Sequence, residues 1–458
     1  MHTLARVMSM HSMVKKTLFL SFSHFTVRII GFAMRIWLSR ELGAQAMGLV
    51  ELAQNAQMLL ITPVVSGLPA AVSRMSAKSA PVRQVRVLRC ALALSLAVSL
   101  PLMLGAFILR EPLALWLGDV RTLPALLIYL PCVPVLGMSC ALNGYFYGTG
   151  RPVPPALSEM LEQIVRFLLC LRLVSALRGW PVMLRSAIPA AAALVGETLG
   201  LVLMLLLCLR PLLMIRGQGD RRDILREMLS LALPLTGVRV VSSLMRTANS
   251  VLIPVRLQVS GLTAAESLSR LGMMQGMMMP ILLMPSFITS SLCMVASPEL
   301  TRRQARGKPT RALIARMMGA TTAVGVLAMA GVWLFAPLIA GTLYRQAKLL
   351  PLLQGSCILV PVIALTHVTG GVMNALGMQR VSLRISLICG LLSVLAMYAL
   401  AALPALRLWG AVMGFGAAQV LTLALNLLAL RHADGSRPTP PAMPDAPACA
   451  RGSVRLLP

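Results

Sequence analysis

Long apolar runs separated by short polar connections govern the chain from residue 17 to residue 431. A hydrocarbon core about 30 Å thick needs about 20 helical residues to cross it. On that length the runs predict about 12 spanning helices. The first six lie near 17–38, 46–72, 86–109, 123–147, 157–177 and 185–209. The other six lie near 227–254, 271–297, 311–337, 350–374, 380–402 and 408–431. The first run is too long and too rich in arginine for a signal-peptide core, so it is kept as the first helix.

The charged stretch "RGQGDRRDILRE" at 216–227 divides the runs six and six. The expected organisation is a cytoplasmic N-terminal segment at 1–16, a six-helix bundle at 17–209, a cytoplasmic linker at 210–226 and a second bundle at 227–431. A disordered, proline-rich cytoplasmic tail is expected at 432–458.

The halves are related. "VRIIGFAMR" at 27–35 returns as "VRVVSSLMR" at 238–246, and "GYFYGTG" at 144–150 returns as "GVMNALG" at 371–377. A basic loop follows the second helix of each half. An even number of helices per half keeps both in the same orientation. The predicted fold is therefore an all-α integral membrane protein of two six-helix bundles in a parallel internal repeat, with a substrate path between them.

Composition agrees: 57% of residues are apolar, 12% are charged, and the mean hydropathy is +0.81. These values lie far outside the soluble globular range. The net charge of +28 changes the picture only through its distribution. Of the 42 Lys and Arg residues, 26 fall in the N-terminal segment, the even loops and the tail, and 11 in the odd loops. The positive-inside rule then predicts a multi-pass protein of the cytoplasmic membrane with both termini in the cytoplasm. Basic loops of this kind need no nucleic acid as partner.

Five arginines remain that no loop accommodates: Arg28, Arg35, Arg166, Arg239 and Arg246. An unpaired arginine at the bilayer centre costs from about 2.5 to more than 10 kcal/mol. Seven residues make almost two turns, so Arg28 and Arg35 share one helix face, as do Arg239 and Arg246. One reading lets Arg28 and Arg35 snorkel to opposite headgroup layers or pair with Glu159, Glu162 or Glu197. The other places the four guanidiniums along a water-filled cavity, where their planar forks suit phosphate. Glu162 precedes Arg166 by four residues, which predicts a pair within one helix. Glu159 and Glu197 are then left for the cavity arginines, and buried glutamates could instead exchange protons.

The remaining chemistry is sparse. No DxD, HExxH, GxSxG or phosphate-binding glycine loop stands in a suitable context, and the cysteines lack metal spacing. No enzyme activity, cofactor or metal is expected. His24 and His367 are read as groups of helix interiors or interfaces, and the Cys, Met, Ala and Gly residues as packing material.

Several blocks carry a family resemblance. They are "LSRELGAQAMGLVELAQ" at 38–54, "SGLPAAVSRMSA" at 66–77 and "NGYFYGTGRPVPPALSEMLEQIVR" at 143–166 in the first half. The second half adds "LPLTGVRVVSSLMRTANSVLIPVRL" at 233–257 and "MPSFITSSLCMVASPELT" at 284–301. With them the chain resembles the stage V sporulation protein B and polysaccharide-export branch of the MOP flippase superfamily, the group that includes MATE transporters and lipid II flippases. The resemblance implies a V-shaped cavity, alternating access and movement of lipid-linked sugars across the cytoplasmic membrane. It makes Arg28 and Arg35 ligands of the substrate diphosphate, and the internal repeat extends that role to Arg239 and Arg246.

Two departures stand out. Relatives often have 14 helices, the last two forming a lipid-tail groove, whereas about 12 are read here. Sodium-coupled relatives have acidic residues on helices 7 and 11, but Asn249 takes the former place and helix 11 has no carboxylate.

The function expected is a flippase or exporter of a polyprenyl-diphosphate-linked oligosaccharide or cell-wall precursor, serving spore envelope formation. A multidrug or cation antiporter of the same fold and a transport-inactive scaffold for envelope biosynthesis are the alternatives. The expected partners are a lipid-linked anionic glycan precursor and membrane lipids, and the protein is expected to act as a monomer.

Overall fold

In the computed structural model, which describes residues 23–214, 221–306 and 309–435, the predicted apolar runs fold as helix. The first half comprises α1 (23–42), α2 (Ala44–Val65), α3 (Leu68–Ala77), α4 (Pro81–Ile108), α5 (Arg110–Trp116) and α6 (Leu123–Tyr129). It continues through α7 (Cys132–Gly148), α8 (Val153–Ala176), α9 (Val182–Arg185) and α10 (Ile188–Met214). The second half comprises α11 (Arg221–Val259), α12 (Ala264–Leu271), α13 (Met279–Leu283), α14 (Pro285–Ala305) and α15 (Arg311–Leu338). It ends with α16 (Leu349–Ser356), α17 (Leu359–Ala375), α18 (Gln379–Leu400) and α19 (Leu408–Gly435). No strand occurs among the described residues.

Joined across their short breaks, these helices form twelve rods in two sets of six: α1, α2–α3, α4, α6–α7, α8 and α9–α10, then α11, α12–α14, α15, α16–α17, α18 and α19. Among the described residues seven spans, or nine with two bent pairs, are long and apolar enough to cross a membrane unaided. The rods 23–42, Val153–Ala176 and α12–α14 do not meet that standard, and the first two carry Arg28 and Arg35, and Glu159, Glu162 and Arg166. Helix reaches into the expected linker from both sides, to Met214 and from Arg221, and 215–220 lies outside the described residues. The expected segment 1–16 and the tail beyond 435 also lie outside them.

The repeat has a structural counterpart. The fourth rod of each half is bent, by 40° between α6 and α7 and by 54° between α16 and α17. Pro131 sits in the first break and Pro361 opens the helix after the second, where a missing N–H interrupts the ladder. Both rods then end alike. The N–H of Arg151 donates to the Phe146 carbonyl and that of Met378 to the Met373 carbonyl, each at 2.8 Å. Gly150 (φ 71°) and Gly377 (φ 75°) supply the left-handed turn that this closure requires. A methyl group at either glycine would have nothing within 4 Å, so only the backbone conformation resists it. Gly150→Ala and Gly377→Ala are each expected to destabilise the protein by about 1–2 kcal/mol, read as an earlier thermal unfolding of purified protein; unchanged melting of both would show that the turns relax freely.

Glycine also sets how closely helices approach. Gly144 and Gly148 on α7 lie against the backbone of Pro69 and Ser73 on α3, where an added Cβ would come within 2.6 Å of each carbonyl oxygen. Gly196 and Gly200 on α10 do the same for α8, where an added Cβ at 200 would run into the Glu162 carboxyl and the Ser158 hydroxyl. These are the small-residue contacts by which helices associate where no water drives them together. One apolar cluster joins the halves, with Leu49 and Leu52 of α2 packed with Leu271, Met277 and Leu353 of the second half.

Candidate functional site

The site begins on α1. Ser23 donates to the Ala156 carbonyl at 3.3 Å, and His24 Nδ1 lies 3.2 Å from a Glu159 carboxylate oxygen, so this end of α1 is held on α8. Arg28, one turn on, is solvent-accessible and close enough to His367 on α17 for their charges to interact. Arg28 therefore reaches from the first half towards the second.

Arg35 is committed elsewhere. Its guanidinium pairs with Glu51 on α2 and donates to the carbonyls of Gln275 at 3.1 Å and Gly276 at 3.2 Å. Those carbonyls belong to a π-helical segment, Gly272–Met278, between α12 and α13. Such a widened turn displaces carbonyls from the regular ladder and is frequent at functional sites. Beside this contact, the Asn55 amide donates to Ser250, Ser250 donates to Gln275, and Thr247 donates to the Asn55 carbonyl.

On α11, Arg239, Ser242, Arg246 and Asn249 follow one another at spacings of three and four residues and so form one stripe. The opposite side carries exposed Leu233, Leu244 and Val255, the side that suits lipid. Arg239 and Arg246 are both exposed, and among the described residues neither guanidinium has an ion-pair or hydrogen-bond partner. Asn249 lies partly buried with its Oδ1 unpaired.

The pairing expected within α8 is corrected. Arg166 pairs with Glu197 on α10 at 2.7 Å, not with Glu162, which accepts from Ser158 at 2.8 Å. The reason is the close approach of α10 at Gly196 and Gly200, which brings Glu197 nearer than the residue one turn back. Glu159 lies against His24, and Glu197 is held by Arg166. Glu51, buried at 7% exposure, is the acid that the sequence reading overlooked. Its signal was there: an acid inside a predicted span, 16 residues after Arg35.

The acids at membrane depth on the described helices, Glu51, Glu159, Glu162 and Glu197, thus all have partners of their own. Among the described residues no acid compensates the positive charge of Arg239 and Arg246.

Two helical bundles, each with a bent fourth rod, and Arg239 and Arg246 exposed on one stripe of the helix that opens the second half define a multi-pass helical membrane protein. The fold is shared with a lipid II flippase, MurJ, in an inward closed conformation, at a TM-score of 0.70 and 12% identity over 90% of this chain and 87% of that one. It is shared equally with a multidrug resistance MATE family transporter of the MOP superfamily in an inward-facing conformation, at a TM-score of 0.69 and 15% identity over 91% and 98% of the two chains. The chain belongs to the polysaccharide biosynthesis protein family, whose model matches residues 13–304. It is 25% identical over 436 residues to stage V sporulation protein B of Bacillus subtilis (strain 168), covering 92% of this chain and 83% of that protein.

Proposed function

We propose that the protein is a flippase that moves a polyprenyl-diphosphate-linked oligosaccharide or cell-wall precursor across the cytoplasmic membrane by alternating access. The observation that carries this reading is the pair Arg239 and Arg246, exposed on one stripe of α11 with no acid among the described residues to neutralise them. A guanidinium held at membrane depth needs an anion or water beside it, and a diphosphate offers several oxygens to its fork of donors. Arg28 joins them from the first half. The polysaccharide biosynthesis family and the sporulation relative support a glycan carrier and a role in the spore envelope.

The test is binding of purified protein to a panel of lipid-diphosphate sugars, set against cationic drugs. Preference for the diphosphates upholds the reading, and preference for the cations replaces it with an antiporter.

The orientation follows from the basic loops: both termini and the loops near 73–89, 210–226 and 298–311 face the cytoplasm. A cysteine at Ser79 should stay unlabelled by a membrane-impermeant reagent outside intact cells, and strong labelling there would reverse the orientation. Coupling is assigned to the proton gradient or membrane potential, because Asn249 and α18 offer no carboxylate for sodium.

A further inference from the structure

Arg35 differs from the other charged groups at membrane depth in where its bonds go. His24 with Glu159 and Arg166 with Glu197 each join helices of the first half. The Arg35–Glu51 pair is anchored in the first half on α1 and α2, yet Arg35 donates to two backbone carbonyls of the second half. The Arg35 charge also lies within reach of buried Tyr344, which belongs to the second half as well. Arg83 with Glu227 also joins the halves, at the ends of α4 and α11 where the basic loops lie, but both its side chains are about half exposed. A pair of that kind contributes little.

The surroundings of Arg35 are closed. Added Cβ atoms at Gly48 on α2 and Gly272 in the π segment would run into the carbonyls of Leu268 and Ala44 respectively, so the two halves touch backbone to backbone. Met47, 1% exposed, packs against the position of Gly276. Asn55, Thr247, Ser250 and Gln275 continue the contact across the halves. Nothing comparable on the described helices commits Arg239 or Arg246 to a neighbour.

We infer that Arg35, Glu51 and the Gln275 and Gly276 carbonyls form the outer gate of the transporter, a latch that holds α1 and α2 on the π segment and must open before cargo leaves on the far side. The word outer rests on the orientation proposed above, since this contact lies towards the ends of α1 and α11 remote from the basic loops. The latch is polar for a physical reason. Apolar packing alone would hold the halves together over a broad face, whereas hydrogen bonds to displaced carbonyls end sharply once the two sides separate. Glu51 keeps the guanidinium compensated in both positions, because it travels with the first half. Arg35 is then a gate residue, and the substrate anion falls to Arg28, Arg239 and Arg246.

The experiment places a single cysteine at Met47 in a chain whose nine native cysteines are replaced, and measures its rate of labelling by a membrane-impermeant maleimide outside intact cells. The parent should label slowly. Glu51→Gln, and the double variant Arg35→Gln with Glu51→Gln, should each label at least about tenfold faster, the scale of losing charge-assisted hydrogen bonds. The double variant leaves no unpaired charge, so it carries the test if Glu51→Gln alone does not fold. Labelling of a folded double variant within twofold of the parent would overturn the latch. The assay needs no substrate: a failed latch leaves lipid-diphosphate binding unchanged, and failed lipid-diphosphate binding leaves the labelling rates readable.

Discussion

Replacing Arg239 or Arg246 by Lys is expected to weaken binding of a polyprenyl-diphosphate sugar by about 1–3 kcal/mol, which is roughly five- to 150-fold in Kd. Lysine keeps the charge but loses the planar fork that grips two oxygens together. Alanine should weaken binding further, and it should leave the fold intact, since both side chains are exposed and nothing among the described residues pairs with them. Arg28 should follow the same order. Arg35 should not: its loss should change gating and expression more than diphosphate affinity, because its donors are already used by Glu51 and the Gln275 and Gly276 carbonyls.

A snorkelling role predicts the opposite order, because lysine reaches headgroups as well as arginine does. Isothermal titration with purified variants decides between them. Full affinity with lysine at positions 28, 239 and 246 would make these residues architecture and remove the main support for an anionic cargo.

The rods were legible because each apolar run is about as long as a bilayer is thick, and the repeat was legible because its arginines and glycines recur in order. What stayed hidden depended on contacts between rods. The i, i+4 rule paired Arg166 with Glu162, yet the partner lies on the next helix, brought in by Gly196 and Gly200. Glu51 stands in plain view inside the second run, but nothing along one strand of sequence shows that α1 turns Arg35 towards it. The π segment is invisible for a related reason. "GMMQGMM" has an ordinary helical composition, and its carbonyls are displaced only when α2 packs closely against Gly272.

The Glu162, Glu197 and Arg166 cluster yields the second large effect. Glu162 and Glu197 lie on either side of the close α8–α10 contact at Gly196 and Gly200, and Arg166 pairs with Glu197 alone. Glu162, which accepts from Ser158, is then the carboxyl at membrane depth expected to relay a proton between α8 and α10. Glu162→Gln should preserve the arrangement, since an amide oxygen can still accept from Ser158 while Arg166 keeps its partner. It should nevertheless abolish stimulation of transport by an imposed proton gradient in proteoliposomes, with lipid-diphosphate binding retained. Arg166→Met should act differently, leaving two partly buried carboxyls without a cation and destabilising the protein by at most about 3–5 kcal/mol, the cost when such a pair is fully buried. Glycine supports the same cluster: Gly200→Ala would press into the Glu162 carboxyl and should reproduce part of the Arg166→Met destabilisation. Undiminished proton stimulation in a folded Glu162→Gln variant would reduce the cluster to a structural brace between α8 and α10 and leave membrane potential as the driving force.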